Sequence, residues 1–406
     1  MKSTHAPNTA NHGEDEFMIP MASPGTMAAS DTNPDGTEGS DSSAGQIDSQ
    51  AALLDIDLGA IVKNYRHFDA LSVPTSIAPV VKCNAYGLGA DVIAAHLADN
   101  YGARSFFVAT VSEGLALRRA LQDTANHDAI EIFVLNGPGD TSLTAFADAA
   151  LTPVINSVQQ ATFWASAYPG IDVALHVDTG MNRLGVMEDR LSAIKAVDGL
   201  SIGILMSHLA CATDSDSAVN TRQRSRFLAA ATQFPGARLS LAASAGAHLH
   251  QSYHYSLIRA GISLYGYTAD GQANPRLTPS ATLSAPIIQI RTVKRGERVG
   301  YDGTWVAARP SKIATLAIGY GDGLPRRLSN LGTVAVGRQK FPIVGRISMD
   351  LTTIDITDAP SGLALGDRAE IFGKSLPLED MAMQVETIPY EILTGLNARV
   401  QKRYHL

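Results

Sequence analysis

Between residues 78 and 260 the chain repeats one local pattern, and this repeat constrains the fold more than any other feature. A short apolar run is followed by a polar break and then by apolar residues at helical spacing. The eight runs are Ala78–Val81, Ser105–Ala109, Glu131–Leu135, Thr152–Ile155, Val173–Val177, Ile202–Met206, Arg238–Ala242 and Leu257–Ala260. Helical patterns at Asp91–Asp99, Glu113–Leu121 and Arg222–Thr232 are among those that separate them. A strand followed by a helix rejoins its sheet in parallel, through a right-handed crossover. Eight such units in about two hundred residues predict an α/β fold, a closed (β/α)8 TIM-type barrel rather than an open sheet. Upstream, Leu53–Ile56 reads as a lone strand and Leu58–Ala70 as a helix.

Near Pro275 the pattern changes. Pro, Thr and Gly punctuate the runs Leu283–Val293, Ile313–Ile318, Gly332–Val336 and Thr352–Ile356, with no helix expected among them. That predicts an all-β C-terminal domain. A chain of 406 residues exceeds what one core ordinarily holds. The expected division is a disordered extension over 1–50, a barrel over 51–275 and a β-strand domain over 276–406. The first 50 residues are mostly Ser, Asp, Asn, Gly, Thr and Ala, too polar to bury a core.

The net charge of −7 argues against nucleic acid as the main ligand and leaves no basic stripe for a membrane surface. No apolar run approaches the roughly 20 residues needed to cross a bilayer. Charged residues make up only 17% of the chain, which suggests that a partner covers part of the surface. The two cysteines, Cys83 and Cys211, form neither a metal-type pair nor a disulfide framework. A reducing, cytoplasmic location and no metal are therefore expected.

The segment P-V-V-K-C-N-A-Y-G, Pro79 to Gly87, sets a lysine at the end of an apolar run. Such a lysine must find an anion, lose its proton or enter a covalent bond. A desolvated amine condenses readily with an aldehyde cofactor. A lysine snorkelling from a strand end fits the same nine residues. The other strand ends carry further polar groups. Asp178 and Arg183 follow the fifth run, His208 the sixth, Ser244 the seventh, and Arg259, Gly261 and Ile262 the eighth. In a barrel these ends form the active rim, and the seventh and eighth loops are its usual phosphate site. Ser244 brings a hydroxyl there, and Gly261 lets backbone amides approach an anion. A lysine facing a phosphate site meets the requirements of pyridoxal phosphate.

Each residue also has a plainer explanation. His208 could be a core histidine, Arg183 a surface arginine, Ser244 a helix cap, and Tyr301 and Tyr320 hairpin aromatics. Their shared placement at strand ends and turns of one architecture is what those explanations leave out.

From about Ala51 to the C-terminus the chain resembles alanine racemase, a fold-type III pyridoxal-phosphate enzyme. The resemblance rests on V-V-K-C-N-A-Y-G, V-D-T-G-M-N-R-L-G, R-A-G-I-S-L-Y-G, G-Y-G-D-G, G-R-I-S-M-D and P-Y-E-I, in that order. It implies that Lys82 carries the cofactor covalently and is one of two catalytic bases. Tyr301, from the β domain of the other subunit of a homodimer, would be the second. Tyr86, Ser244, the amides of Gly261 and Ile262, and Tyr390 would hold the phosphate. Arg259 would face the pyridine nitrogen, with His208 supporting ring and tyrosine. Arg183 and the Met349 amide of the partner would receive the substrate carboxylate. The product, D-alanine, would supply peptidoglycan.

Racemisation takes a proton from one face of Cα and returns one to the other, so two opposed bases are needed. Tyrosine titrates near 10 in water, and a tyrosine base therefore calls for neighbouring positive charge. An arginine at the ring nitrogen keeps its proton, so the ring stays a weaker electron sink. One position departs from the family. Many members carry a lysine two residues before D-T-G-M whose carbamate orients the arginine, and here that residue is His176. Imidazole forms no stable carbamate, so a bound anion or Asp178 is the expected support for Arg183.

Three rival classes share parts of this pattern. A fold-type III decarboxylase would carry E-P-G-R and a late Cys-Asp pair, both missing here. A non-catalytic pyridoxal-phosphate carrier would be a single barrel. A broader or serine-preferring racemase shares the catalytic set, since a methyl-sized change in a pocket wall is worth only ~1–3 kcal/mol.

Overall fold

The computed structural model describes residues 48–72, 75–125, 127–139, 143–360 and 362–406. The extension expected over residues 1–50 lies outside the described residues up to residue 47.

Eight parallel strands form the first domain. They are β2 (Ser76–Pro79), β3 (Ser105–Val108), β4 (Glu131–Val134), β5 (Leu151–Ile155), β6 (Asp172–Asp178), β7 (Ser201–Met206), β8 (Arg238–Ser240) and β9 (Leu257–Ala260). Neighbours pair in chain order from β3 to β8, and β9 pairs with β2. Single parallel bridges, Val80 to Phe107 and Ala243 to Arg259, join β2 to β3 and β8 to β9 and close the cylinder. Each of the eight apolar runs read from the sequence overlaps one of these strands. Their continuous hydrophobicity follows from burial on both sides, by barrel interior and by helices. Phe106, Phe107, Ile132 and Phe133 are fully buried, and the Phe107 and Phe133 rings stack at 4.6 Å across β3 and β4.

The second domain is built on Ala281–Val293 (β10), a 13-residue strand. It pairs antiparallel with Ser311–Leu316 (β11) and with Arg368–Phe372. Its early residues also pair antiparallel with Leu53–Asp57 (β1), which in turn lies parallel to the final strand, Gln401–His405. This corrects one expectation. The lone strand before the barrel, assigned by the boundary at residue 51 to the barrel domain, belongs to the sheet of the second domain. Strand pairing is non-local, so adjacency to helix Leu58–Ser72 misled.

A second correction concerns helices. Among its described residues the β domain contains two α-helices, Leu378–Gln384 and Pro389–Gly395. Seven residues barely complete two turns, too short for a helical period to stand out. Pro389 occupies the first turn, where its missing N–H costs nothing, and Leu378, Met381 and Leu393 are buried. The second helix returns Tyr390 to the barrel mouth, with its ring 5.7 Å from that of Tyr86. Among the described residues, no helix is long and apolar enough to cross a membrane. None of their His, Cys, Asp and Glu side chains gather in threes to hold a metal ion.

Candidate active site

Beyond β2 the backbone takes a rare path. Cys83, Asn84, Ala85 and Tyr86 have φ of 50°, 54°, 52° and 56°, a single left-handed turn of four non-glycine residues. Left-handed geometry costs L-residues ~1–2 kcal/mol each, so this turn must be held by its surroundings. Ala85 N–H bonds the Val81 carbonyl at 2.8 Å, and Ala90 N–H bonds Asn84 Oδ1 at 2.8 Å. Glu113 is the external brace. Its Oε1 accepts from Cys83 N–H at 2.7 Å, while Oε2 accepts from Ala109 and Thr110 in the capping box of helix Val111–Ala120. Glu113→Ala is expected to lower stability by about 2 kcal/mol, since a cap and a loop donor lose one charged acceptor. Faster amide hydrogen exchange at Cys83 and Ala85 would localise the effect; unchanged exchange there would show that the turn holds without Glu113.

The turn leaves Lys82 half-buried on the rim and sends Tyr86 inward. Lys82 makes no hydrogen bond or ion pair with a described residue. A pocket of about 750 Å³ opens here, lined among others by Lys82, Tyr86, His176, Arg183, His208, Ser244, Arg259, Gly261, Ile262 and Tyr390. Three of these are cations, and no Asp or Glu lines the pocket.

On one side lies an anion cradle. Ser244 Oγ accepts from the Gly261 amide at 2.9 Å and the Ser263 amide at 3.4 Å. The Gly261 amide is thus engaged by Ser244, while that of Ile262 bonds no described residue. A Cβ on Gly261 would fill the cradle, 2.6 Å from Tyr86 Oη. Burial raises the pKa of Tyr86, helped by Tyr390, and burial likewise raises that of Tyr390. Both phenols stay protonated and can donate to an anion. The cradle fits a phosphate.

At the pocket floor Arg259 is fully buried. Its Nη1 donates to the Ser240 carbonyl and hydroxyl, at 3.0 and 2.6 Å. Its Nη2 donates to the Ser207 carbonyl at 2.6 Å, the Leu241 carbonyl at 3.3 Å and His208 Nδ1 at 3.3 Å. Burial lowers the Arg259 pKa to about 10, which leaves a cation at neutral pH. Because a guanidinium only donates, His208 accepts at Nδ1 and carries its proton on Nε2. Burial, and then Arg259 and Arg183, push His208 down to about 3, so it is neutral.

Two expected site residues are absent from this pocket. Tyr301 is 70% exposed and Met349 54% exposed, both on the β domain. Asp302, next to Tyr301, pairs with Arg346 in the segment that leads to Met349, and Gly321 N–H of the Tyr320 turn bonds the Met349 carbonyl at 2.8 Å. Tyr320, Leu331 and Leu351 are exposed on the same domain. Sequence reasoning missed Glu113 and Asn156. The only local signal was the capping-box spacing Thr110-x-x-Glu113.

A lysine with no hydrogen-bond or ion-pair partner among the described residues, in a mouth lined by two further cations and no carboxylate, gives this barrel the rim of an enzyme. Models of the N-terminal domain of alanine racemase and of its C-terminal domain match residues 56–269 and 280–404. An alanine racemase of Acidiphilium cryptum is 44% identical over 359 residues, 86% of this chain and 97% of that protein. A protein of Agrobacterium fabrum named alanine racemase, catabolic, is 41% identical over 86% of this chain and 91% of its own length. The crystal structure of alanine racemase from Bartonella henselae with covalently bound pyridoxal phosphate superposes with a TM-score of 0.81, at 36% identity over 87% of this chain and 99% of that one. The chain belongs to the alanine racemase family.

Proposed function

We propose that the chain interconverts L- and D-alanine with pyridoxal phosphate, using Lys82 and the partner subunit's Tyr301 as opposed bases. The observation that carries this is the unbonded Lys82 facing a phosphate-shaped cradle in a pocket with three cations and no carboxylate. Pyridoxal phosphate, when bound, supplies the electron sink that lets an amino acid release its Cα proton.

The chain's own residues do the rest. Ser244, the Ile262 amide, Tyr86 and Tyr390 bind phosphate, the Gly261 amide joining them if Ser244 turns to the anion. Arg259 and neutral His208 support the ring. Arg183 and the partner's Met349 amide receive the substrate carboxylate. Lys82 Nζ takes or returns the proton on one face, and Tyr301 Oη does so on the other. The exposure of Tyr301 and Met349, away from their own chain's pocket, supports a homodimer with shared sites. The barrel and β domain divide near residue 275. Two free cysteines, Cys83 and Cys211, suit a cytoplasmic enzyme.

Racemisation of L-alanine by the purified protein is the direct test, with L-serine, L-lysine and L-arginine as competitors for breadth. Borohydride should fix the cofactor to the peptide containing Lys82. Label on another lysine would overturn the assignment, and no D-alanine would overturn the function. Supply of peptidoglycan is the physiological reading. A catabolic role is the second, favoured by names among the relatives. A deletion strain that needs D-alanine to grow selects the first; one that fails only on alanine as carbon source selects the second.

A further inference from the structure

His176, near the end of β6, is buried and lines the same pocket as Arg183. Asn156 determines which of its nitrogens carries the proton. Asn156 Nδ2 donates to the Leu135 carbonyl at 3.0 Å and the Val154 carbonyl at 2.9 Å. Turning the amide over would set its oxygen against both carbonyls, so Oδ1 is the atom that faces His176 Nδ1 at 2.9 Å. An amide oxygen only accepts, and therefore the proton sits on Nδ1. Burial lowers the His176 pKa to about 4, with Arg259 and Arg183 adding to it and Asp178 opposing. His208, which shares the pocket with His176 and Lys82, is itself neutral. At neutral pH His176 thus keeps a free lone pair on Nε2.

The loop bearing Arg183 is pressed onto this ring. Gly185, at φ 112°, would carry a Cβ only 3.2 Å from His176 Cγ and 3.1 Å from its carbonyl oxygen. Arg183 makes no hydrogen bond with a described residue. Asp178 forms no ion pair with it, and Asp178 Oδ1 instead accepts from the Gly180 and Met181 amides, both at 2.8 Å. Burial pushes the Asp178 carboxyl up, but these donors and Asn182 outweigh it and hold its pKa low.

We propose that His176 is a positioning residue whose Nε2 accepts an N–H of Arg183 and turns the guanidinium toward the substrate carboxylate. The proposal rests on the reading of Arg183 as the carboxylate receptor. A guanidinium has five donors and no acceptor, so only an acceptor can orient it. A neutral imidazole does this without cancelling the charge that attracts the substrate.

The tautomer is read directly in the wild-type holoenzyme, by long-range proton–nitrogen correlation on ¹⁵N-histidine-labelled protein. His176 should be neutral and protonated on Nδ1 from pH 8 to pH 6; an Nε2-protonated ring overturns the proposal. Propionate, a carboxylate without an amine, probes the subsite by calorimetry. His176→Leu should weaken propionate and raise the KM for alanine about tenfold with kcat little changed, the effect of one hydrogen bond to a charged group. His176→Gln, whose Oε1 reaches the Nε2 position, should recover most of that loss. Asn156→Asp should raise the His176 pKa, so that KM climbs from pH 8 to pH 6 while the wild type stays flat. Equal KM in the Leu and Gln variants, or a flat Asn156→Asp profile, overturns the proposal. A wild-type protein that does not racemise alanine instead overturns the functional reading, and the tautomer measurement still decides the role of Asn156.

Discussion

Lys82→Ala and Tyr301→Phe should each reduce racemisation by roughly 10²–10⁴-fold, and a mixture of the two inactive proteins should regain activity. The first expectation is the ordinary contribution of a positioned acid or base. The second follows from where the structure leaves the two side chains. Lys82 lines the pocket, whereas Tyr301 stands 70% exposed on the β domain and lines no part of it. If each site takes its lysine from one chain and its tyrosine from the other, a mixed dimer contains one intact site and one doubly altered site. Full exchange at equal concentrations makes half of the dimers mixed, so about a quarter of the wild-type sites should return. Native mass spectrometry would establish the exchange. No recovery after demonstrated exchange would place both bases in one chain, and full activity of Tyr301→Phe would remove the tyrosine from the mechanism.

The features legible in the sequence were those encoded locally. Each barrel strand is a short run with its own hydrophobic signature, so the eight strands and the rim positions of Lys82, His208, Ser244 and Arg259 could be read along the chain. Features set by distant pairing could not. Leu53–Asp57 carries no mark that it will lie between β10 and the last strand, nearly 350 residues away. The left-handed turn at Cys83–Tyr86 runs against the preferences of its residues and depends on Glu113, thirty positions on. Asn156, just past β5, and His176, on the adjacent β6, meet across twenty residues. The resemblance marked His176 as a departure from the family pattern, and the expected supports, a bound anion or Asp178, came from charge alone. A neutral acceptor held in one tautomer becomes visible only once the hydrogen bonds of Asn156 are counted.

Arg259 carries the second large expectation, because it is structural as well as electrostatic. Its two terminal nitrogens accept no hydrogen bonds and donate to groups at the ends of two neighbouring strands: Ser207 beyond β7, and Ser240 with Leu241 at the end of β8. Arg259 itself lies on β9. The fork therefore ties three consecutive strand ends beneath the pocket. Arg259→Leu takes a donor from three buried carbonyls; that of Ser240 keeps the Ser207 N–H at 3.0 Å, while those of Ser207 and Leu241 lose a donor worth ~1–3 kcal/mol each, and with the Ser240 bonds a stability loss of about 3–5 kcal/mol is expected. A fall in thermal midpoint of roughly 6–10 °C would register it. Arg259→Lys separates geometry from charge, since an ammonium is a single point that cannot span the fork. It should lose most of the same stability while keeping the cation. His208 supplies an independent reading. After burial, Arg259 is the next largest influence holding its pKa near 3, so His208 should titrate at higher pH in the Leu variant and much less so in the Lys variant. A Lys variant as stable as the wild type would show that charge alone suffices here. An unmoved His208 in the Leu variant would show that burial alone keeps that ring neutral, and that Arg259 does not set the protonation state of its neighbour.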